Sequence, residues 1–229
     1  MLFNILGLFS FLTDLLPLVL ILMYWRVTKS PPFAALFVWT IFSILSDVAI
    51  NVYDDKSDQV VAYVAVLAEL MFISILYFLI SKRRKLRFIY LLFGMVFVVI
   101  GCVKLIRNPP NNFDYLLASL SLLNVLVLSL LLLYEKFSQS HSSFLLSNSL
   151  VWFPLAYIIY CSGNLFLFAT TEHFPDLFKA ENTANPWSIF LMANIIKNTL
   201  FCKAIMLEKK KMYVRSRTRT TNTQIKRPA

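Results

Sequence analysis

Apolar residues in this chain neither alternate with polar ones, as on a half-buried strand, nor recur every three to four positions, as on a surface helix. They run together in long blocks. Seven such blocks cover approximately residues 2–25, 32–52, 60–81, 88–106, 115–134, 148–169 and 186–207. A helix rises about 1.5 Å per residue, so roughly 20 residues cross a hydrocarbon core of about 30 Å. Each block is of that order. The pattern predicts an all-α polytopic membrane protein, a seven-transmembrane-helix bundle over 1–207, with a tail at 208–229. Backbone groups in lipid have no water to bond, so helices are the form these blocks must take. The connections, such as RVTKSPP, YDDKSDQ and SKRRKLR, are too short and polar for a separate soluble domain.

Composition agrees with the pattern. The chain is 59% hydrophobic and 15% charged, with a mean hydropathy of +0.69, outside the usual range of a water-soluble domain. The first block carries no Lys or Arg before Leu8 and no small-residue cleavage site behind it, so it is expected to stay as a span.

The net charge of +10 would suggest nucleic acid in a soluble protein, and its distribution changes that picture. Numbering the connections alternately puts Arg26, Lys29, Lys82, Arg83, Arg84, Lys85, Arg87, Lys136 and the tail from Lys209 on one side. The other side has Lys56, Arg107 and Lys179, among the acids Asp54, Asp55, Asp58, Asp114, Glu172, Asp176 and Glu181. Positive residues accumulate in the cytoplasm, so the N-terminus is expected outside and the C-terminus inside. The basic tail is then a lipid-facing anchor, with no nucleic-acid partner, and its Thr, Ser, Asn and Gln content suggests disorder.

Polar residues within the blocks point to chemistry, since an ionisable group in hydrocarbon is costly and faces the bundle interior. Asp14, Asp47, Glu69 and Lys197 are of this kind, and Glu69 and Lys197 are expected to approach one another at mid-depth. Asn194, Lys197 and Asn198 share one helical face. With Asn164, Ser162, Tyr157 and Tyr160 in the sixth block and Asn124 in the fifth, they suggest a polar pocket opening outward. The candidate ligand-binding set is Asp47, Glu69, Asn164, Asn194, Lys197 and Asn198; an internal salt bridge joined by helix-linking hydrogen bonds is the competing reading.

Other features are read as structural. Cys102, Cys161 and Cys202 lie in apolar blocks and read as small buried hydrophobes. Pro17 and Pro154 are expected to kink their helices, and Lys104 and Lys203 to reach the interface. With four glycines, no glycine-rich helix interface is expected. His141 and His173 fall in connections on opposite sides, so no paired-histidine metal site is expected, and neither a hydrolase elbow nor a phosphate loop occurs. No catalytic residue, metal or cofactor is assigned.

The segments ILSDVAI, VLAELMF and MANIIKN resemble those of seven-helix inner-membrane proteins common in Bacteroidetes, for which no activity is established. That resemblance implies a bacterial inner membrane. The expected function is a small-ligand sensor or signalling accessory, with the bilayer, a small ligand and a cytoplasmic or membrane signalling partner as its contacts. The alternative is a small-solute transporter, since seven spans can divide three, one and three as in the SWEET sugar transporters. WFPLAY with Lys197 is similar to microbial rhodopsins, which implies a retinal Schiff base countered by Glu69; Ala193 stands where that family has an acid. FSILSDVAI resembles a lysoplasmalogenase segment, which implies lipid hydrolysis involving Asp47.

Overall fold

The computed structural model describes residues 2–25, 29–52, 55–107, 114–139, 146–173 and 187–225. Seven α-helices follow in chain order: α1 Leu2–Met23, α2 Pro31–Val52, α3 Asp55–Ile80, α4 Arg84–Arg107, α5 Tyr115–Gln139, α6 Trp152–His173 and α7 Trp187–Ile225. All seven are long and apolar enough to cross a membrane, and no strand occurs among the described residues. The chain is a multi-pass helical membrane protein. Arg26, Asp54, Asp176, Lys179 and Glu181, which contribute to the charge-sorting reading, lie outside the described residues.

Several element ends differ from the apolar blocks. The basic stretch from Glu208, expected to be disordered, is drawn as a continuation of α7 through Ile225; residues 226–229 lie outside the described residues. Its Lys and Arg residues are good helix formers once a helix already runs into them, because propagation costs far less than nucleation. Pro154 does not interrupt α6. It sits in the first turn, after a 3₁₀ turn at Ser149–Val151, where a missing N–H has no intrahelical acceptor to lose. Asn148 caps that turn, its Oδ1 accepting from Leu150 N at 3.2 Å.

Neighbouring contacts run α1–α2–α3–α5–α6–α7 and back to α1, a closed ring of six helices. Helix α4 stands outside the ring, packed on α3 and touching α5 only weakly. Its buried residues are accordingly few: Tyr90, Gly94 and Gly101. The two glycines are seven residues apart and so share a face. A Cβ at Gly94 would lie 2.6 Å from Ser74 Cβ, and one at Gly101 2.9 Å from Leu67 Cδ1. Four glycines therefore do suffice for a close helix interface, because two of them are placed where α3 and α4 meet. Tyr63 Oη donates to Gly101 O at 2.9 Å across the same seam.

The outward faces are apolar, as lipid requires. Val38, Phe88, Ile106 and Phe166 are 66%, 67%, 81% and 68% exposed, which in water would be a large unpartnered patch and in a bilayer is the solvated surface. Cys102 belongs to this exposed face, contrary to expectation, while Cys161 and Cys202 are buried.

At the end of the bundle where α3 and α5 finish, a buried carboxylate ties the α3–α4 connection to α5. Glu135 Oε2 accepts from Ser81 Oγ at 2.6 Å, and its Oε1 accepts from Lys82 N at 2.8 Å, Arg83 N at 3.3 Å and Gln139 Nε2 at 2.9 Å. Lys136 donates from Nζ to Ile80 O at 2.8 Å. Lys136, which follows the apolar block and is expected in a connection, is 3% exposed, because α5 continues past that block to Gln139. Arg87 Nε donates to Ser81 O at 2.7 Å and Arg83 to Ser138 Oγ at 2.9 Å, so the short α3–α4 connection is pinned on both sides.

Candidate functional site

The two halves of the ring are filled differently, and the sequence shows why. Toward the end that carries Glu135, inward positions hold bulky side chains: Phe33, Leu76, Tyr77, Phe153, Tyr157 and Phe201 are all 2% exposed or less. Toward the N-terminus of α1, the inward positions are small: Gly7 and Ser10 on α1, Ser43 and Ser46 on α2, Ala62 and Ala65 on α3, Ala118 and Ser121 on α5. Helices held at ordinary spacing with small facing side chains leave space between them. The result is a cavity of about 560 Å³ bounded by all six ring helices and not by α4. That volume falls in the range of small-molecule sites.

Its walls are aromatic and its polar groups sit at mid-depth. Trp39, Phe42, Tyr160, Phe168 and Phe190 line it. Trp39 is 8% exposed and stacks on Phe72 with ring centroids 4.8 Å apart, so it belongs to the interior and not to an interfacial belt. Phe190 meets Tyr160 at 6.1 Å and Phe168 at 6.3 Å, joining α6 to α7 along one wall.

Four ionisable side chains line the same space: Asp14, Asp47, Glu69 and Lys197. Lys197 Nζ stands 3.8 Å from Glu69 Oε1, as the mid-depth positions predicted. The ammonium also lies over the Tyr160 ring, 4.2 Å from its centroid, and 6.0 Å from that of Tyr157. Attraction to ring faces adds to the ion pair. Lys197 is 7% exposed at the side chain and Glu69 19%, the larger value reflecting the cavity that Glu69 faces.

Asp14 is held from α7. Ser10, Asp14, Pro17 and Ile21 form the buried stripe of α1, at spacings of four, three and four residues. Asn194 Nδ2 donates to both Asp14 oxygens at 3.2 Å and to Ser10 Oγ at 3.0 Å. Asn198 Nδ2 donates to Asp14 Oδ1 as well, and to Thr13 Oγ1 at 3.5 Å. Amide donors hold a carboxylate in place without cancelling its charge.

Of the six residues singled out from sequence, Asp47, Glu69, Asn194 and Lys197 line the cavity. Asn198 sits one turn below Asn194 and acts through Asp14. Asn164 is not in the cavity wall. It is 0% exposed, and neither side-chain amide atom has a hydrogen-bond partner among the described residues. Tyr160 and Phe168, one turn to either side on the same helical face, do line the cavity, and Asn164 between them is covered by packing. Ser162 faces outward and bonds its own helix at Ile158 O, and Asn124 does not line the cavity either. Tyr160, expected in the pocket, lines it; Asp14 joins it from outside the candidate set, as do the small residues that create the space, whose clustering in the first half of α1 and α3 and the second half of α2 is a signal the sequence does carry.

The remaining lysines behave differently. Lys104 pairs with Asp114 beside the α4–α5 connection, and Lys203 lies 3.7 Å from the Trp152 ring centroid. Among the described residues no group of three His, Cys, Asp or Glu side chains is placed to hold a metal ion.

The fold and site together define a multi-pass membrane protein with a partly polar, aromatic-walled cavity within the bundle. No protein-family model, curated protein or solved structure matches the chain.

Proposed function

We propose that this protein is a small-ligand sensor of a bacterial inner membrane, with its N-terminus outside and its C-terminus in the cytoplasm. The observation that carries the reading is the cavity of about 560 Å³ bounded by six helices, with Asp14, Asp47, Glu69 and Lys197 in its lining. A ligand there touches every helix of the ring at once. Differential contacts of that kind are what bias helix packing between two arrangements. The charge sorting of the connections supports the orientation, and puts the cavity in the outward half of the bundle. The resemblance to Bacteroidetes seven-helix proteins supports the bacterial inner membrane. Signal then passes to a cytoplasmic or membrane partner, and α7, which lines the cavity and runs on to Ile225, is the element that would carry it.

The test is a thermal-shift screen of polar metabolites on the protein in lipid nanodiscs, followed by flux measurements in proteoliposomes with each stabilising compound. The sensor reading expects stabilisation without flux. Flux of a stabilising compound would make the protein a transporter, and a chain that no compound stabilises would remove the ligand-site reading.

A further inference from the structure

Resting on the ligand-site reading, we infer that the cavity receives an amphipathic organic cation, its ammonium group among the carboxylates of Asp14, Asp47 and Glu69 and its apolar body against Trp39, Phe42 and Phe190. The argument is one of charge and shape. Three carboxylates and one ammonium line a space within the membrane-spanning part of the bundle, and the ammonium of Lys197 is already engaged by Glu69 and by the face of Tyr160. Asp14 is held by two neutral amides, which orient its carboxylate without adding a positive charge. The lining therefore carries more acid than base. Like charges gathered away from water are disfavoured, and a bound cation relieves that cost while an anion adds to it.

The remaining wall selects the rest of the ligand. Trp39, stacked on Phe72, and Phe190, braced by Tyr160 and Phe168, offer rigid apolar surfaces. Aromatic faces attract cations and pack apolar bodies equally well. A bare metal ion would leave those walls uncovered, and among the described residues no cluster is set to ligate one.

Three probes of one shape and different charge test the assignment on the full chain in nanodiscs: phenethylammonium, 2-phenylethanol and 3-phenylpropionate, each titrated by calorimetry. Phenethylammonium is expected to bind at least about tenfold more tightly than the alcohol, with the anion weakest, as the excess of carboxylates in the lining requires. Asp47→Asn is expected to weaken the ammonium probe about tenfold and to leave the alcohol unchanged, which separates charge from folding. Equal or tighter binding of the alcohol or the anion would overturn the cation assignment while keeping the cavity as a ligand site. If no probe binds, labelling of Ser43→Cys in a Cys102→Ser background decides what fails. A thiol that reacts with a small water-borne reagent leaves an open cavity and removes only the ammonium class; an unreactive thiol removes the ligand site as well.

Discussion

Lys197 on α7 and Glu69 on α3 face one another across the cavity, Nζ to Oε1 at 3.8 Å, with the ammonium over the ring of Tyr160. Helices α3 and α7 are not neighbours in the ring, so this pair spans the bundle. Replacing either residue alone, by Glu69→Gln or Lys197→Met, leaves a charge facing a neutral partner. Each is expected to lower stability by about 1–3 kcal/mol, between the values for exposed and buried pairs. The exchange Glu69→Lys with Lys197→Glu should recover part of the loss, as read from denaturation in mild detergent. Strictly additive losses would show the two charges to be independent.

The Asp14 network joins α1 to α7. Asp14→Leu and Asn198→Leu each remove one side of the contact, and the double replacement should cost less than the sum of the singles by about 1 kcal/mol, as expected for residues sharing a hydrogen bond. Disulfide trapping between cysteines introduced on α1 and α7 would report whether the helices have separated.

The two glycines of α4 make a contrast with the others. Gly94→Leu and Gly101→Leu press side chains into Ser74 and Leu67, and are expected to destabilise by about 1–3 kcal/mol through overpacking. Gly7→Ala meets nothing within 4 Å and Gly163→Ala makes only ordinary contacts, the nearest at 3.5 Å. Both should match or exceed the parent in melting temperature, since alanine favours the helix by about 1 kcal/mol over glycine.

Glu135→Gln keeps the shape of the side chain and replaces an acceptor oxygen with a donor facing Ser81, Lys82 and Arg83. Faster hydrogen exchange is expected at residues 81–84, with the cavity helices unchanged. Exchange unaltered at the α3–α4 connection would show that packing alone holds it.

Orientation is checked with fusions: a cytoplasm-active reporter after Ala229 should be active and the same reporter at Asn182 silent. Asp55→Cys at the start of α3 and Lys85→Cys in the first turn of α4 should label from opposite sides. The reverse pattern would invert the bundle and place the cavity toward the cytoplasm.

The seven helices and the inward face of α7 are legible in the sequence because they are local. Twenty apolar residues in a row dictate a span, and Asn194, Lys197 and Asn198 share a face by helical geometry whatever surrounds them. The meeting of Glu69 and Lys197 was also accessible, since two opposite charges at one depth have few other partners in hydrocarbon. The tertiary structure decided the rest. The close packing of α4 on α3 depends on Gly94 and Gly101 meeting Ser74 and Leu67, and burial of Glu135 depends on where the α3–α4 connection falls against α5. Tyr160, Asn164 and Phe168 share one face of α6, and which of them reach the cavity depends on the side chains packed over that face. The cavity itself is a sum over side-chain volumes on six helices, and no single segment records that sum.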